Sequence, residues 1–353
     1  MAGKAVLNVF LLIVGFVLLV KGADFFVDGA SGIAKKLKVS TFIIGVTVVA
    51  LGTSAPEMAV TVVDAVGGSG ELIVGNILGS NVINIFLILG ASAVICNLPV
   101  SKSARFIDLP FLVLISALFV VLGFVGSSFA WWEGLILILL YSAYMAYNIV
   151  LATKQSKINL EEAVAVSVAE SEEAVTADTG WYSRLKAGYE KLTDKVWFLL
   201  MITIVGLGMV VGGAQLVVDS AQFIAEEWIG IPAEIVALTV VAFGTSLPEL
   251  VTSVSAARKG DVGIATGNII GSNIANILLI GGLGAICTGS NGLPFNPEGI
   301  VSGLVSLFAA ILIFACSFSK AKSLTRAAGI VMLVCLVLYY GFVFLNLYVL
   351  GLY

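Results

Sequence analysis

One eleven-residue stretch occurs twice in this chain, and this repeat restricts the fold more than any other feature. Residues 47–57 read TVVALGTSAPE and residues 239–249 read TVVAFGTSLPE, an offset of 192 (239 − 47), with nine of eleven positions identical. A second stretch repeats at the same offset, because GNILGSNVINI at 75–85 returns as GNIIGSNIANI at 267–277, with eight of eleven positions identical. Two matches at one offset indicate that half of the chain has been duplicated.

The composition places both copies in a membrane. Of the 353 residues, 59% are hydrophobic and 11% are charged, whereas a soluble domain carries roughly 25% charged residues. The apolar runs are continuous, which favours helices of about 20 residues over the alternating pattern of barrel strands. The chain has no histidine, and its four cysteines stand singly in apolar runs, so they are interpreted as packing residues. We therefore expect an all-α polytopic membrane protein.

The apolar runs predict ten transmembrane helices. Five precede and five follow a polar stretch, which predicts a first five-helix repeat at 1–151, a cytoplasmic loop at 152–195 and a second five-helix repeat at 196–353. Because five is odd, the second repeat enters the membrane from the opposite side, as in the inverted repeats of many secondary transporters. The predicted spans are 5–30, 40–65, 72–96, 107–126, 131–151, 196–222, 231–256, 262–288, 298–318 and 325–350.

The placement of charge predicts the orientation. All but two of the 18 Lys and Arg residues, Lys4 and Lys21, fall in the central stretch or in every second connection between helices. Basic residues mark cytoplasmic loops, so both termini are expected outside the cell membrane and the central loop inside. Lys21 and Asp24 are expected to form a local ion pair. The repeated Asp28 and Asp219, near helix ends, are expected to cap a helix or to line the mouth of a site.

The repeated motifs place prolines inside predicted helices. Pro56 and Pro248 have no N–H, and each ring crowds the carbonyl four residues earlier, so the second and seventh helices are expected to break near the membrane midplane. The breaks free carbonyl oxygens around Ala50–Thr53 and Ala242–Thr245. At membrane depth such oxygens must be satisfied by protein, water or a ligand.

Polar side chains surround each predicted break. Residues three and four apart share a helix face, which groups Thr53, Ser54 and Glu57 in one copy and Thr245, Ser246 and Glu249 in the other. The third and eighth helices, also expected to be broken, carry stripes with a spacing of four: Asn76, Ser80, Asn84 and Asn268, Ser272, Asn276. Asn81 and Asn273 lie off these stripes and are expected only to bond neighbouring backbone. The alternative interpretation is that the glutamates and stripes are polar packing contacts between helices.

Carboxylate, hydroxyl, amide and carbonyl oxygens together suit hard cations. Two carboxylates balance one Ca²⁺ or accommodate Na⁺, whereas Mg²⁺ fits less well because it resists dehydration. Each buried carboxylate is costly in a membrane unless it has a partner. The sequence therefore indicates a cation site shared by the two halves.

GTSAPE at 52–57 and GTSLPE at 244–249, each followed by GNIxGSNxxN, resemble the two alpha-repeats of the calcium/cation antiporter superfamily, and most of all those of prokaryotic sodium/calcium exchangers. The resemblance covers nearly the whole chain and implies alternating access, with Na⁺ and Ca²⁺ competing for overlapping sites. It also implies a set of ligands. These are Glu57, Glu249, Thr53, Ser54, Thr245, Ser246, Ser80, Asn84, Ser272 and Asn276, with the backbone carbonyls of Ala50 and Ala242.

The function expected is therefore a secondary antiporter that exports Ca²⁺ in exchange for Na⁺. Some relatives in this superfamily have an acid where this chain has Asn276 or Asn84, which leaves the counter-ion open. The alternatives are a Ca²⁺/H⁺ antiporter that uses the same glutamates and a cation channel. An enzyme is not expected, since the chain lacks an HExxH motif and a GxGD-type aspartate. The expected partners are the ions and the lipid bilayer; no cofactor, nucleic acid or obligate protein partner is indicated.

Overall fold

The computed structural model describes residues 2–67, 70–167, 195–224, 242–319 and 321–345. Within them the chain is helical almost throughout. The helices are α1 Ala2–Leu37, α2 Thr41–Thr53, α3 Ala55–Gly67, α4 71–95, α5 Ala104–Gly126, α6 Trp131–Ser167, α7 Val196–Phe223, α8 Ala242–Thr245, α9 Leu247–Arg258, α10 Val262–Cys287, α11 Pro297–Ser317 and α12 Arg326–Leu345. The strands are β1 Leu98–Pro99, β2 Ser128–Phe129, β3 Leu293–Pro294 and β4 Ser323–Leu324.

The described helices identify a membrane protein. Eight of them are long and apolar enough to span a bilayer, and α2 with α3 makes a ninth such span, bent by 44°. The predicted span 231–256 begins among residues 225–241, which lie outside the described residues. The total of ten therefore stays a prediction.

Two helices extend beyond their predicted ends. α1 continues to Leu37 instead of 30, and α6 continues to Ser167 instead of 151. The segment 152–167 contains neither proline nor glycine, so nothing in it stops a helix that leaves the apolar layer. The first part of the predicted loop 152–195 is therefore helical, and the rest of that loop, 168–194, lies outside the described residues.

α4 and α10 form the centre of the helix bundle. Of their most apolar segments, 78% and 83% are buried, against 11% for α12. The breaks predicted in these two helices are wrong, since each helix continues through a π-helical segment, Asn84–Leu89 in α4 and Asn276–Ile280 in α10. Neither helix contains a proline, so no N–H is missing and a wider turn replaces an interruption.

Glycines bring α1 and α7 into backbone contact. A Cβ atom on Gly22 would lie 2.9 Å from the carbonyl oxygen of Gly206, and one on Gly15 would lie 3.0 Å from that of Gly213. As the residue number increases along α1, the number of the contacting residue in α7 decreases, so the two helices are antiparallel. Any side chain at these positions would separate the helices.

Two short antiparallel strand pairs join the halves of the chain. β1 pairs with β4, with Leu98 opposite Leu324, and β2 pairs with β3, with Ser128 opposite Pro294. The strands occupy equivalent positions, because β3 follows β1 and β4 follows β2 by the same offset of 195 (293 − 98 and 323 − 128). Each pair therefore contains one strand from each half.

Candidate cation site

A single serine interrupts the helix in each copy of the repeated motif. Ser54 separates α2 from α3 with φ −81° and ψ 9°, and Ser246 separates α8 from α9 with φ −87° and ψ 1°. Pro56 and Pro248 stand two residues further on, where the missing N–H belongs to the first turn of the next helix and costs little. The same local sequence thus produces the same local geometry in both halves.

Glu57 and Glu249 follow these interruptions and meet inside the protein. Each is 1% exposed, and the two carboxylates are close enough to interact electrostatically. The hydroxyl of Ser54 donates to Oε1 of Glu249 at 2.9 Å, and the hydroxyl of Ser272 approaches the same oxygen at 3.4 Å. On the other side, Thr245 is a hydrogen-bond partner of Glu57. Each carboxylate is therefore contacted by a hydroxyl from the opposite half.

Four buried oxygens of the predicted site have no hydrogen-bond partner within the described part of the chain. They are Oε2 of Glu57, Oε2 of Glu249, Oδ1 of Asn84 and Oδ1 of Asn276. They form two equivalent pairs, because 249 − 57 and 276 − 84 both equal the offset of the repeat. Leaving a buried polar atom without a partner costs about 1–3 kcal/mol, so four such oxygens in one symmetric set are arranged for a ligand that accepts lone pairs.

The other predicted ligands lie around this centre. Ser80 and Ser246 are buried, with their hydroxyl oxygens 3.5 Å apart. The carbonyl of Ala50 already accepts the N–H of Ser54 at 3.1 Å, which leaves it one lone pair. Ala242 is the first residue of α8. The structure thus brings the side chains of both halves together and leaves the carbonyl of Ala50 less free than the sequence suggests.

The prediction for Asn81 is wrong, whereas that for Asn273 is correct. Asn273 donates to the carbonyl of Ile269 in its own helix at 2.7 Å. Asn81 instead accepts from Nδ2 of Asn276 at 3.0 Å and donates to the carbonyl of Asn273 at 3.3 Å. Because Asn81 takes up the donor group of Asn276, Oδ1 of Asn276 remains for the site. The repeated Ser-Asn doublet was the only sequence signal for this contact.

The ion pair predicted between Lys21 and Asp24 is also wrong. Lys259 supplies the cation instead: its ammonium lies 3.6 Å from Oδ1 of Asp24 and 2.8 Å from Oδ1 of Asp28. Ser255 also donates to Asp24, at 2.7 Å. These contacts join α1 to the end of α9, 231 to 235 residues away in sequence, which no local pattern can indicate.

The donor set fits a hard cation held by few charges. Across the described residues, no group of three or more His, Cys, Asp and Glu side chains is placed to hold a metal ion. An ion at Glu57 and Glu249 would therefore be held by two carboxylates and by neutral hydroxyl and amide oxygens. Ca²⁺ and Na⁺ accept such mixed oxygen ligands.

The chain is similar to several known membrane proteins. An uncharacterized membrane protein of Methanocaldococcus jannaschii is 32% identical over 93% of this chain and 95% of its own length. The sodium/calcium exchanger MaX1 of Methanosarcina acetivorans is 33% identical over 79% of this chain and 83% of its own length. A solved structure of the sodium-calcium exchanger NCX_Mj superposes with a TM-score of 0.77 and 31% identity, covering 96% of this chain and 99% of that one.

The family match falls in two segments that follow the repeat. Residues 7–150 and residues 198–345 both match the family described as sodium/calcium exchanger protein. The segments avoid the polar central stretch and contain one copy each of the two repeated motifs. The chain therefore belongs to the sodium/calcium exchanger protein family.

Proposed function

We propose that this protein is an antiporter that exchanges Ca²⁺ for Na⁺ at a site between Glu57 and Glu249. Family membership makes it a transport protein rather than an enzyme. The observation that carries the proposal is the symmetric set of buried oxygens without partners, two from carboxylates and two from amides. Each carboxylate also faces a hydroxyl of the opposite half, so an ion bound there would contact both halves at once.

The charge of the site explains how two different ions can compete for it. Two carboxylates neutralise one Ca²⁺, and Na⁺, which is also a hard cation, uses the same oxygen ligands. One set of ligands cannot serve both ions fully at the same time. Binding of one therefore displaces the other, and this competition is the basis of exchange.

Movement across the membrane follows from two inverted halves, 1–151 and 196–353. The two separate family segments and the opposite directions of α1 and α7 support this organisation. In such transporters one half rocks against the other around a midplane site, which alternates between the two faces. The related NCX_Mj structures are described in terms of extracellular ion exchange and binding-site occlusion after soaking with Na⁺, Ca²⁺ and Sr²⁺. We place both termini outside the cell membrane and the central stretch in the cytoplasm.

Flux measurements test the proposal directly. The purified protein is reconstituted into liposomes, and uptake of radiolabelled Ca²⁺ is followed under an outward Na⁺ gradient, a pH gradient or no gradient. We expect uptake only with the Na⁺ gradient. Uptake with no gradient of either ion would contradict exchange and indicate a channel.

A Ca²⁺/H⁺ antiporter is the second candidate. One oxygen of Glu57 and one of Glu249 lack partners among the described residues, and either oxygen can take a proton in place of a metal ion. Uptake driven by the pH gradient in Na⁺-free vesicles would favour this function over Na⁺ exchange.

A further inference from the structure

Asn268 connects the two halves one helical turn away from the candidate ligands. It lies on α10, four residues before Ser272, and is fully buried. Its Oδ1 accepts the hydroxyl of Thr53 at 3.0 Å, and its Nδ2 donates to the hydroxyl of Ser253 at 2.9 Å. The chain Thr53–Asn268–Ser253 therefore joins α2 of the first half to α9 and α10 of the second.

This connection sets the direction of the Thr53 hydroxyl. A hydroxyl has one proton and two lone pairs, and only the lone pairs can bind a cation. Thr53 also contacts Glu249. Its proton can go to Glu249, to Asn268 at 3.0 Å, or to the carbonyls of Val49 and Ala50 in its own helix, at 3.1 and 3.4 Å. When Asn268 accepts the proton, the lone pairs of Thr53 are left for a cation, and Thr53 is held to α10 of the opposite half.

The bond equivalent to that between Asn268 and Ser253 is not made in the other half. Subtracting 192 from Asn268 and Ser253 gives Asn76 and Thr61, which have the same amide and hydroxyl groups. Within the described part of the chain, Nδ2 of Asn76 and Oγ1 of Thr61 both lack a hydrogen-bond partner. The two atoms that would form this bond are present and buried, and each stands alone.

We propose that Asn268 and Asn76 are alternating positioning residues for the cation site. Asn268 links Thr53 to Ser253 in the conformation seen here. Asn76 makes the corresponding link to Thr61, which completes the chain Thr245–Asn76–Thr61, in the conformation open to the opposite face. This inference rests on the proposed exchange function, because two inverted halves that swap conformations must also swap their internal contacts.

The test compares Asn268→Ala with Asn76→Ala on both faces of the membrane. Na⁺-driven Ca²⁺ transport is measured in right-side-out and inside-out vesicles, with the Ca²⁺ concentration varied on one face at a time. Each variant loses one hydrogen bond to a ligand hydroxyl, besides the bond to the outer hydroxyl, so we expect its apparent KM for Ca²⁺ to rise about three- to tenfold. The rise should affect one face in Asn268→Ala and the opposite face in Asn76→Ala, with the turnover at saturating Ca²⁺ changing less.

A double-mutant cycle tests whether Asn268 acts through Thr53. If it does, Thr53→Val with Asn268→Ala should bind Ca²⁺ no more weakly than Thr53→Val alone.

Where Asn268→Ala fails to fold, Ser253→Ala and Thr61→Val form the matched pair, because each removes only the outer hydroxyl. Wild-type protein without Na⁺-driven flux would refute the exchange function. If the wild type is active, three results would overturn this inference alone. Both variants could be weakened on the same face, neither could change, or the losses in the cycle could be fully additive.

Discussion

The two halves carry nearly the same motif but use it differently. The hydroxyl of Ser54 donates to Glu249 at 2.9 Å, whereas the equivalent Ser246 is directed at Ser80, 3.5 Å away. Asn268 is bonded at both ends of its amide, whereas Nδ2 of Asn76 has no partner among the described residues. A repeated sequence therefore specifies equivalent groups, and a single conformation engages them unequally.

The contrast extends to the helices that flank the site. Asp28 of α1 reaches Lys259 at the end of α9, at 2.8 Å. Its counterpart Asp219 instead accepts a hydrogen bond from Nε2 of Gln215, in its own helix, at 2.7 Å. α1 is thus joined to the second half by an ion pair, while the contact of the equivalent acid in α7 is, among the described residues, a local one.

Replacing Glu57 or Glu249 should produce the largest effect. The two variants would show whether the unequal hydrogen bonds of the two halves mean unequal contributions to Ca²⁺ binding. We expect Glu57→Gln and Glu249→Gln each to lower Ca²⁺ affinity by at least about a hundredfold. Removing one charge of a buried charged set costs about 3–5 kcal/mol, and each 1.4 kcal/mol is tenfold in affinity. Ca²⁺ titration calorimetry and vesicle flux measure this, with gel filtration as the control for folding. Near wild-type affinity in either variant would show that the site needs only one half.

Adding a methyl group at the glycine contact between α1 and α7 should have the next largest effect. At this contact the two halves are alike, because each contributes glycines. A Cβ on Gly22 would lie 2.8 Å from the backbone nitrogen of Val210, whereas no described atom lies within 4 Å of one on Gly208. Gly22→Ala should cost about 1–3 kcal/mol of stability through overpacking and should slow exchange. Gly208→Ala, the matched control, should be neutral or stabilising by up to about 1 kcal/mol. Thermal unfolding in detergent tests both, and equal behaviour of the two variants would contradict the close contact.

Removing the ion pair should have the smallest effect and should be confined to one half. Lys259 is 27% exposed, and partly exposed pairs contribute about 0.2–1 kcal/mol. We expect Lys259→Gln to lower the thermal stability slightly. Adding choline chloride, which leaves the Na⁺ concentration constant, should reduce the difference in stability between the wild type and this variant, because salt screens the ion pair. Gln215→Ala, which removes the contact to Asp219, should show no such salt dependence. A salt-dependent loss in both variants would remove this difference between the halves.

The repeat and the prolines were sufficient to predict which polar groups lie together within each half. Helix periodicity places Glu57 with Thr53 and Ser54, and Glu249 with the equivalent hydroxyls, whereas a site shared by the two sets was implied by the family resemblance. Contacts across the halves could not be predicted in the same way. The amide of Asn81 can bond its own helix or a neighbouring one, and only the packing of α4 against α10 decides between these.

The positions of helix ends were predicted less well, for a different reason. The sequence pattern marks where the apolar layer ends, near 151, but a helix stops only at a residue that disfavours it. Because 152–167 contains no such residue, α6 continues to Ser167. The cation partner of Asp24 was predicted wrongly for a third reason, since Lys259 is more than 230 residues away from Asp24 and Asp28.

The strand pairs at the ends of the helices have a consequence for movement between the halves. β1 and β2 belong to one half, and their counterparts β3 and β4 belong to the other, yet each pair takes one strand from each half. Backbone hydrogen bonds thus cross between the halves in both strand pairs. Any movement that separates the two halves at these helix ends must break a strand pair, so the pairs are expected to move as single units.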